Sequence, residues 1–402
     1  MRIRNTGDTI ILGFLYALEK KHEEHLAYIA AYTEAGHRLR ISDTDTERHN
    51  SISFKFIYFK DALLPNTVVQ IHVQTIFTHR LIPLQNYITQ SGSQMVRFKD
   101  SHYFLSPYPT LIQKTIVIFG SQNIRAVTNV EPVTRLGNTY KYGPYNKIDA
   151  LKTSAMVLHV ENKKPFLTIL KLLRVIFVSH WGNIHVKDSI ELDNSGAIYV
   201  SRDHGEKYLR KQYSVRTIIP RSAKNIECHD IIGKMTTKVK YHKNFTELIL
   251  QPRLPLTGGT ITNYNVSYYL STDDFLYYSE NDYVLKMRLT DRILQNMCID
   301  QAEIKIILPE GASEVIFYVP FQTFRLPNGI RKLFLDIFGH PTISLVKTNV
   351  IDQHVIDFEL LYSLETIFFI YKPAIIVLPI FILFVLFILC CRNSDDEREK
   401  ND

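Results

Sequence analysis

An uncharged, almost wholly apolar run lies near the end of the chain, at residues 373–391, with the sequence PAIIVLPIFILFVLFILCC. A helix that rises 1.5 Å per residue needs about 20 apolar residues to cross a hydrocarbon core of roughly 30 Å. Helices in soluble cores are rarely apolar on every side, so a buried soluble helix is the weaker alternative. Pro373 suits the first turn, and Pro379 is tolerated inside a membrane helix. We predict a single transmembrane helix over residues 367–391.

The charges on the two flanks of this helix do not decide its orientation, because residues 392–402 mix basic and acidic side chains. Two Asn-x-Ser/Thr triplets, at Asn244 and Asn265, match the N-glycan acceptor pattern, which is used only on lumenal or secreted chain. We therefore expect a lumenal N-terminal part with both asparagines as glycosylation candidates. Residues 392–402 are then a short cytosolic tail.

The start of the chain resembles a targeting signal only in part. Two arginines precede an apolar run from Thr9 to Leu18, but Glu19 follows at once without a small-residue cleavage site. The spacing of apolar residues over 14–32 instead predicts an amphipathic helix. We expect the true N-terminus to lie upstream of Met1.

The composition of the remaining chain favours β-structure. Tyr and Phe number 23 each among 402 residues, and runs with alternating apolar residues recur between turns. We predict strands at 51–60, 67–79, 114–119, 155–160, 166–178, 196–201, 213–219, 238–250, 261–270, 283–289, 302–308, 313–320 and 342–364. The fold class is therefore mainly β, with two lumenal β-sandwich-like domains at 1–175 and 176–366.

Charge and cysteine content exclude several classes of protein. The net charge of +7 is spread along the chain, so no nucleic-acid partner is expected. A local excess of lysine at 234–243 is better explained by a solvated strand face than by a phosphate or lipid site. Four cysteines exclude a disulfide-dense scaffold. Cys228 and Cys298 both lie on the lumenal side and are candidates for a disulfide.

None of the motifs typical of catalytic, metal-binding or phosphate-binding sites lies in the structural setting that such a site requires. Asp43 and Asp45 match the Asp-x-Asp of nucleotide-sugar transferases, but no hydrophobic strand leads them into a cleft. His22 and His25 are three residues apart, whereas the metalloprotease helix needs four. Gly258-Gly259 lacks the strand–glycines–helix setting of a phosphate loop. We assign no catalytic, cofactor-binding or metal-ligating residue.

Six short stretches together carry a family resemblance that none of them carries alone. They are 103–109 (YFLSPYP), 179–184 (SHWGNI), 252–259 (PRLPLTGG), 283–287 (YVLKM), 306–312 (IILPEGA) and 338–341 (FGHP). In this order and followed by one membrane span, they resemble the ribophorin I family, subunit 1 of the oligosaccharyltransferase complex. The resemblance extends from about Phe14 to the membrane span.

The resemblance implies an accessory subunit in the endoplasmic reticulum membrane. Its complex transfers a dolichol-linked oligosaccharide to Asn-x-Ser/Thr of nascent polypeptides, and catalysis belongs to a separate multi-spanning subunit with a Trp-Trp-Asp motif. This chain has one tryptophan, Trp181, so we expect it not to be an enzyme and to use no cofactor. The implied partners are the other subunits, the lipid bilayer and nascent polypeptides.

The chain departs from the family pattern at three places. The family's PRFPLFGGW is PRLPLTGG followed by Thr260 here, and its Gly-Arg-Pro is Gly339-His340-Pro341. The segment that corresponds to a family sequon is Gly233–Thr236, which contains no asparagine, so no glycan is expected there.

Two structural roles and two other function classes complete the expectations. We expect Trp181 to be buried and to anchor the junction between the two domains. Small residues are scarce in the membrane span, so Ile376, Phe381 and Phe384 are expected to form its packing surface. A single-pass β-sandwich receptor or adhesion protein stays open as an alternative. So does a metal-dependent lumenal transferase that uses Asp43 and Asp45.

Overall fold

The computed structural model describes residues 1–44, 51–89, 93–121, 123–128, 130–162, 164–200, 214–279, 282–333 and 336–398. Within these ranges the chain is mainly β and ends in one long helix, as predicted. Its buried apolar side chains form three separate clusters that follow one another along the sequence. The fold is therefore a series of three hydrophobic cores.

The first core lies between two three-stranded antiparallel sheets. Its elements are β1 (Arg2–Arg4), β2 (Ile11–Glu19), α1 (Lys20–Glu23), β3 (Leu26–Thr33), β4 (Ile41–Thr44), β5 (Ile52–Leu63) and β6 (Val68–Phe77). The strand orders are β1-β6-β3 and β2-β5-β4. Phe14, Ile57 and Ile71 are buried between them.

The predicted helix over residues 14–32 is wrong. The segment forms β2, a single turn of helix and β3, and β2 pairs with β5 from Ile11 to Glu19. Leu, Ala, Glu and Lys have good helix propensity, but propensity is a weak preference that tertiary pairing overrides. Here the ladder with β5 and the burial of Phe14, Tyr16 and Leu18 decide the conformation.

The second core is built by residues 81–162. Its strands are β7 (Leu81–Pro83), β8 (Tyr87–Thr89), β9 (Gln94–Ser101), β10 (Thr110–Ile118), β11 (Ile124–Val127), β12 (Val133–Leu136), β13 (Thr139–Ile148) and β14 (Ala155–Asn162). Sheets of order β11-β14-β9-β7 and β10-β13-β12 enclose Tyr140, Tyr142 and Leu158.

The third core is the largest. Its first strands are β15 (Leu167–Val178), β16 (Asn183–Asn194), β17 (Ile198–Val200), β18 (Val215–Pro220), β19 (Lys224–Asp230), β20 (Thr236–Tyr241), β21 (Phe245–Gln251) and β22 (Thr260–Ser271). The rest are α2 (Thr272–Phe275), β23 (Leu276–Ser279), β24 (Asp282–Arg288), β25 (Cys298–Ile307), β26 (Ser313–Tyr318), β27 (Phe324–Arg325), β28 (Gly329–Arg331), β29 (His340–Ile351), the 3₁₀ turn Asp352–His354, β30 (Asp357–Ser363) and α3 (Ile367–Arg398).

An eight-stranded sheet, called the large sheet below, is the frame of this third core. Its order is β19-β22-β16-β15-β25-β29-β27, with β28 also on β29, and only the central β15–β25 pair is parallel. Side chains from two smaller sheets, β18-β21-β20 and β23-β24-β30-β26, join it in one apolar cluster. The membrane helix follows β30, so this core lies next to it.

The predicted division at residues 175 and 176 falls inside β15. This strand pairs with β16 from Leu167 onward, so all of it belongs to the large sheet. The predicted first domain, 1–175, therefore contains two hydrophobic cores and most of one strand of the third.

Candidate functional site

The base of α3 is where the folded part of the chain meets the membrane span. In the described residues, α3 is the one helix long and apolar enough to cross a bilayer, over Ile367–Leu389. Its first turns do not stand free, because four side chains contact the third core: Phe368, Phe369, Tyr371 and Lys372. We call this set of contacts the anchor site.

Glu310 is the polar centre of the anchor site. It is 4% exposed, and its Oε1 accepts the backbone N–H groups of Ile337, Phe338 and Gly339 at 2.9, 2.6 and 3.0 Å. Its Oε2 accepts the Tyr371 hydroxyl and lies 3.1 Å from the Lys372 ammonium. Burial alone raises the pKa of Glu310, but the donated N–H groups and Lys372 outweigh it and the pKa is lowered.

Asp336 is the second carboxylate on Lys372. Its side chain is fully buried, and its Oδ1 lies 2.7 Å from Lys372 Nζ while its Oδ2 accepts the N–H of Leu333. Burial raises the pKa of Asp336, but the Lys372 and Leu333 contacts prevail and the pKa is lowered. Lys372 is therefore clamped between two ionised carboxylates.

The same carboxylates and His340 form a cluster of potential metal ligands. His340 Nδ1 donates to the Leu308 carbonyl at 2.7 Å, and its Nε2 lies 3.5 Å from Asp336 Oδ2. The cation in this cluster is already supplied by Lys372, which contacts both acids. The two carboxylates therefore bind the ammonium group of Lys372 in α3.

Aromatic rings complete the anchor site around Phe368. Its ring lies 5.7 Å from that of Phe338 and 5.9 Å from that of Tyr371, both edge-on. Gly311 has φ +86°, and a Cβ there would lie 2.4 Å from the Phe368 ring. Glycine is thus required twice, by the backbone conformation and by the close approach of the ring.

His180 lies in the turn between β15 and β16 and contacts Phe369, the residue after Phe368 in α3. Its ring lies 5.4 Å from that of Phe369, and its Nε2 is hydrogen-bonded to the Tyr362 hydroxyl at 2.7 Å. Burial lowers the pKa of His180 to about 4, so the ring is neutral at pH 7.

Three of the six resemblance stretches meet at the anchor site. His180 comes from 179–184, Glu310 and Gly311 from 306–312, and Phe338 and His340 from 338–341. The sequence interpretation missed Glu310, Tyr371 and Lys372 as functional residues. A lysine bordering a membrane span was the available signal, because such a charge needs a partner. The arrangement fixes a helix mechanically and contains no nucleophile–base pair.

The expected burial of Trp181 is wrong. Its side chain is 73% exposed in the turn between β15 and β16, next to His180. The turn lies at the end of the large sheet near α3, and no described residue covers the indole. It does not anchor the junction between domains.

Other residues make that junction. Thr78 Oγ1 donates to Asn349 Oδ1 at 3.1 Å, and Asn349 Nδ2 donates to the Glu24 carbonyl. His79 Nε2 lies 2.7 Å from Asp300 Oδ1, and this contact raises the pKa of His79 to about 10. These residues join the end of β6 to β25 and β29.

The His79–Asp300 pair also has Cys298 Sγ beside it, 4.0 Å from Nε2. These donor types suit Zn²⁺. The imidazole and the carboxylate are already satisfied by each other, so the pair is complete as a contact between cores.

The candidate disulfide between Cys228 and Cys298 is wrong for this fold. Both are free thiols, on β19 and β25, which are four strand positions apart in the large sheet. At 4.7–4.9 Å per strand the separation is about 19 Å or more, whereas a disulfide needs Cα atoms about 4.4–6.8 Å apart. Burial raises the pKa of Cys228.

The two sequons lie in different settings. Asn244 is exposed in the turn between β20 and β21. Asn265 is half-buried within β22, opposite Ser189 of β16 and His229 of β19. Asp43 is bound by Lys55 at 2.5 Å, and Asp45 lies outside the described residues.

A fully buried ion cluster lies inside the third core. Arg174 donates to both Asp188 oxygens at 2.7 Å and to Asp291 at 2.5 Å, and the Tyr268 hydroxyl also donates to Asp291. Burial and Arg174 act in opposite directions on Asp188, and its pKa is raised. Since all four side chains are enclosed, the cluster is structural.

The comparison with protein families matches residues 1–391, including the strands and loops of the anchor site, to ribophorin I. The chain belongs to the ribophorin I family. Subunit 1 of dolichyl-diphosphooligosaccharide–protein glycosyltransferase from Caenorhabditis elegans is 30% identical over 414 residues, covering 99% of this chain and 70% of that protein. Subunit 1B from Oryza sativa subsp. japonica is 29% identical, covering 92% and 82%. Subunit 1B from Arabidopsis thaliana is 27% identical, covering 96% and 86%.

Solved structures add little to the ribophorin I assignment. An M1 zinc metallopeptidase from Deinococcus radiodurans matches 50% of this chain and 43% of its own, with 8% identity and a TM-score of 0.32. A yeast LTA4 hydrolase matches equally weakly, with 11% identity and a TM-score of 0.32. Likeness at this level carries no functional argument.

Proposed function

We propose that the chain is a non-catalytic accessory subunit of the oligosaccharyltransferase complex of the endoplasmic reticulum membrane. Near-full-length similarity to proteins named as its subunit 1 carries this proposal. In this role the chain supports transfer of the dolichol-linked oligosaccharide to Asn-x-Ser/Thr of nascent polypeptides. The N-terminal part is lumenal and the end of α3 is cytosolic.

The anchor site supports a positioning role. It ties the first turns of α3 to the third core through one lysine, two carboxylates and three aromatic rings. Because the base of the helix is fixed to the third core, a partner that binds the helix in the membrane also sets the position of the folded part. The chain thereby holds acceptor polypeptides at a set height above the bilayer, near the catalytic multi-spanning subunit.

Two surfaces are available for other subunits. In α3, Ile376, Phe381 and Phe384 are 51%, 62% and 60% exposed and contact lipid or a partner helix. On the sheet of β10, β12 and β13, Ile118 and Leu136 both face Thr139 and are over 70% exposed. Exposed apolar side chains grouped on one face are typical of an interaction surface.

Affinity purification of the full chain from mild-detergent membranes, followed by mass spectrometry, tests the proposal. We expect stoichiometric recovery of a multi-spanning glycosyltransferase subunit. Its absence with the chain folded and inserted would favour a single-pass receptor or adhesion protein. Sensitivity to endoglycosidase H separates the two, because a receptor at the cell surface acquires complex glycans.

The same purification with Ile376→Ala, Phe381→Ala or Phe384→Ala tests the membrane surface. Helix association in lipid depends on van der Waals contact, so we expect a reduced yield of the catalytic subunit. Ile118→Ser is the companion variant for the other surface. Unchanged yields with the α3 variants would show that this helix is not the docking element.

A further inference from the structure

The anchor site locates the edge of the bilayer on α3. Lys372 is paired with Glu310 and Asp336, and three charged groups do not lie in hydrocarbon without a large energetic cost. Residues 373–391 carry no charge and span about 28 Å as a helix, which is close to a hydrocarbon thickness of roughly 30 Å. The boundary between hydrocarbon and headgroups therefore lies at Lys372 and Pro373.

Loops that contact residues 368–372 must then lie at the level of the headgroups. Ile337 and Phe338 donate their N–H groups to Glu310, and Phe338 also packs on Phe368. His180 packs on Phe369 from the turn that carries Trp181. Because Phe368 and Phe369 are about 100° apart around a helix, the two loops border different sides of α3.

The side chains that these loops leave exposed are large and apolar or amphipathic. The exposed fractions are 73% for Trp181, 53% for Ile337 and 61% for Phe338. Tyr278, 64% exposed, belongs to the same end of the fold, since its ring lies 5.0 Å from Tyr283. The Tyr283 ring in turn lies 4.3 Å from His180. Tryptophan and tyrosine are enriched at membrane interfaces because their rings are apolar and their N–H or O–H groups polar.

We propose that Trp181, Tyr278, Ile337 and Phe338 form a rim that lies in the headgroup layer of the bilayer around the base of α3. The partner is a phospholipid surface, because the rim continues the membrane span and surrounds it on more than one side. Exposed Asp273 and Asp274 follow the Thr272 N–H that donates to Gly182, so they stand beside Trp181. Exposed Arg331 and Lys332 stand beside Gly339 at the other part of the rim, so the surrounding charges are mixed and a zwitterionic lipid is a suitable test surface. The rim fixes the height and tilt of the folded part, whichever complex the chain joins.

Trp181 is the single tryptophan of the sequence, so intrinsic fluorescence of the unmodified chain reports on the rim. The full chain is reconstituted in phosphatidylcholine nanodiscs and quenched by iodide from water or by brominated acyl chains from lipid. We expect a blue-shifted emission, strong quenching by bromine near the headgroups and weaker quenching by bromine deep in the chains. Iodide quenching should be several-fold weaker than for a water-exposed indole.

A second variant provides that water-exposed reference. Trp181→Phe with Ile261→Trp moves the indole to a 59% exposed position in β22. Ile261 is ten residues from Ser271, which pairs with Asn183 at the end near α3, so it lies about 33 Å away. Trp181→Phe with Tyr278→Trp should instead behave like the native chain.

Three quenching results distinguish water, protein and lipid headgroups as the surroundings of Trp181. Strong iodide quenching of Trp181, equal to that at position 261, and no effect of bromolipid would overturn the proposal. Protection from both quenchers would place the indole within protein and would overturn it too. Preferential quenching by shallow bromine at positions 181 and 278, but not at 261, supports the rim.

Discussion

Glu310 shows how much the base of the membrane helix depends on single side chains. Three backbone N–H groups fix its carboxylate, which then accepts Tyr371 and faces Lys372. A carboxylate with several donors is held in its charged form, which favours the ion pair. The neighbouring residues must therefore keep their conformations for the helix to stay attached.

Gly311→Ala should destabilise the attachment in two separable ways. A left-handed backbone costs an L-residue about 1–2 kcal/mol, and the new Cβ would also meet the Phe368 ring. Thermal unfolding of the full chain in detergent measures the total. In the Phe368→Ala background the same change should retain the backbone cost and lose the steric part. Equal costs in both backgrounds would show that Phe368 is not in contact.

His180→Phe should make stability less dependent on pH. The folded-state pKa of about 4 is below the ordinary 6.5, so unfolded chain binds more protons between these values. His180 thus contributes stability above pH 6.5 that is lost as the pH falls toward 4. The difference in melting temperature between native chain and variant should shrink from pH 7.5 to pH 5. A constant difference would mean that His180 is solvated.

At the scale of elements, α3 combines two different surfaces in one helix. Phe368, Phe369, Tyr371 and Lys372 contact the third core, whereas the side chains from Ile376 to Leu389 are exposed along the helix. The hairpin of β15 and β16 supplies His180, and the loop before β29 supplies Phe338 and Asp336. The helix is therefore oriented by strand ends that lie far apart in sequence.

Lys372→Met should loosen α3 from the third core. It leaves Glu310 and Asp336 buried without their cation, which typically costs about 3–5 kcal/mol. The readouts are thermal unfolding and chymotryptic cleavage near Tyr371. Lys286→Met is the matched control, because its pair with Glu359 is nearly half exposed and should contribute less than about 1 kcal/mol. Equal effects of the two variants would contradict the anchor site.

The whole molecule is three β-rich cores in series, with the third joined to the membrane. The first core contacts the third through Thr78, His79, Asn349 and Asp300. The second core is joined to the third by the parallel pairing of β8 with β17. An orientation set at the base of α3 is thus passed to the first core through the third. The positioning role that we propose requires such a continuous series of contacts.

Asn244 should carry the main glycan if the folded part is lumenal. It is exposed in a turn, whereas Asn265 lies within β22, which is paired with a strand on each side. Asn244→Gln should abolish most of the electrophoretic shift caused by endoglycosidase H, and Asn265→Gln should change it less. A native chain without any shift would argue against a lumenal location.

Local pattern in the sequence determined the membrane span, the mainly β class and most strands, because alternation and unbroken apolar runs directly reflect burial. The six motif stretches were enough for the family resemblance. Pattern failed at 14–32, where pairing with β5 overrides the helix preference of Leu, Ala, Glu and Lys. It also failed for Trp181 and for the two cysteines, because exposure and strand order are properties of the assembled sheet. The anchor site depends on tertiary structure alone, since Glu310, Asp336 and Lys372 meet only after the strands have paired.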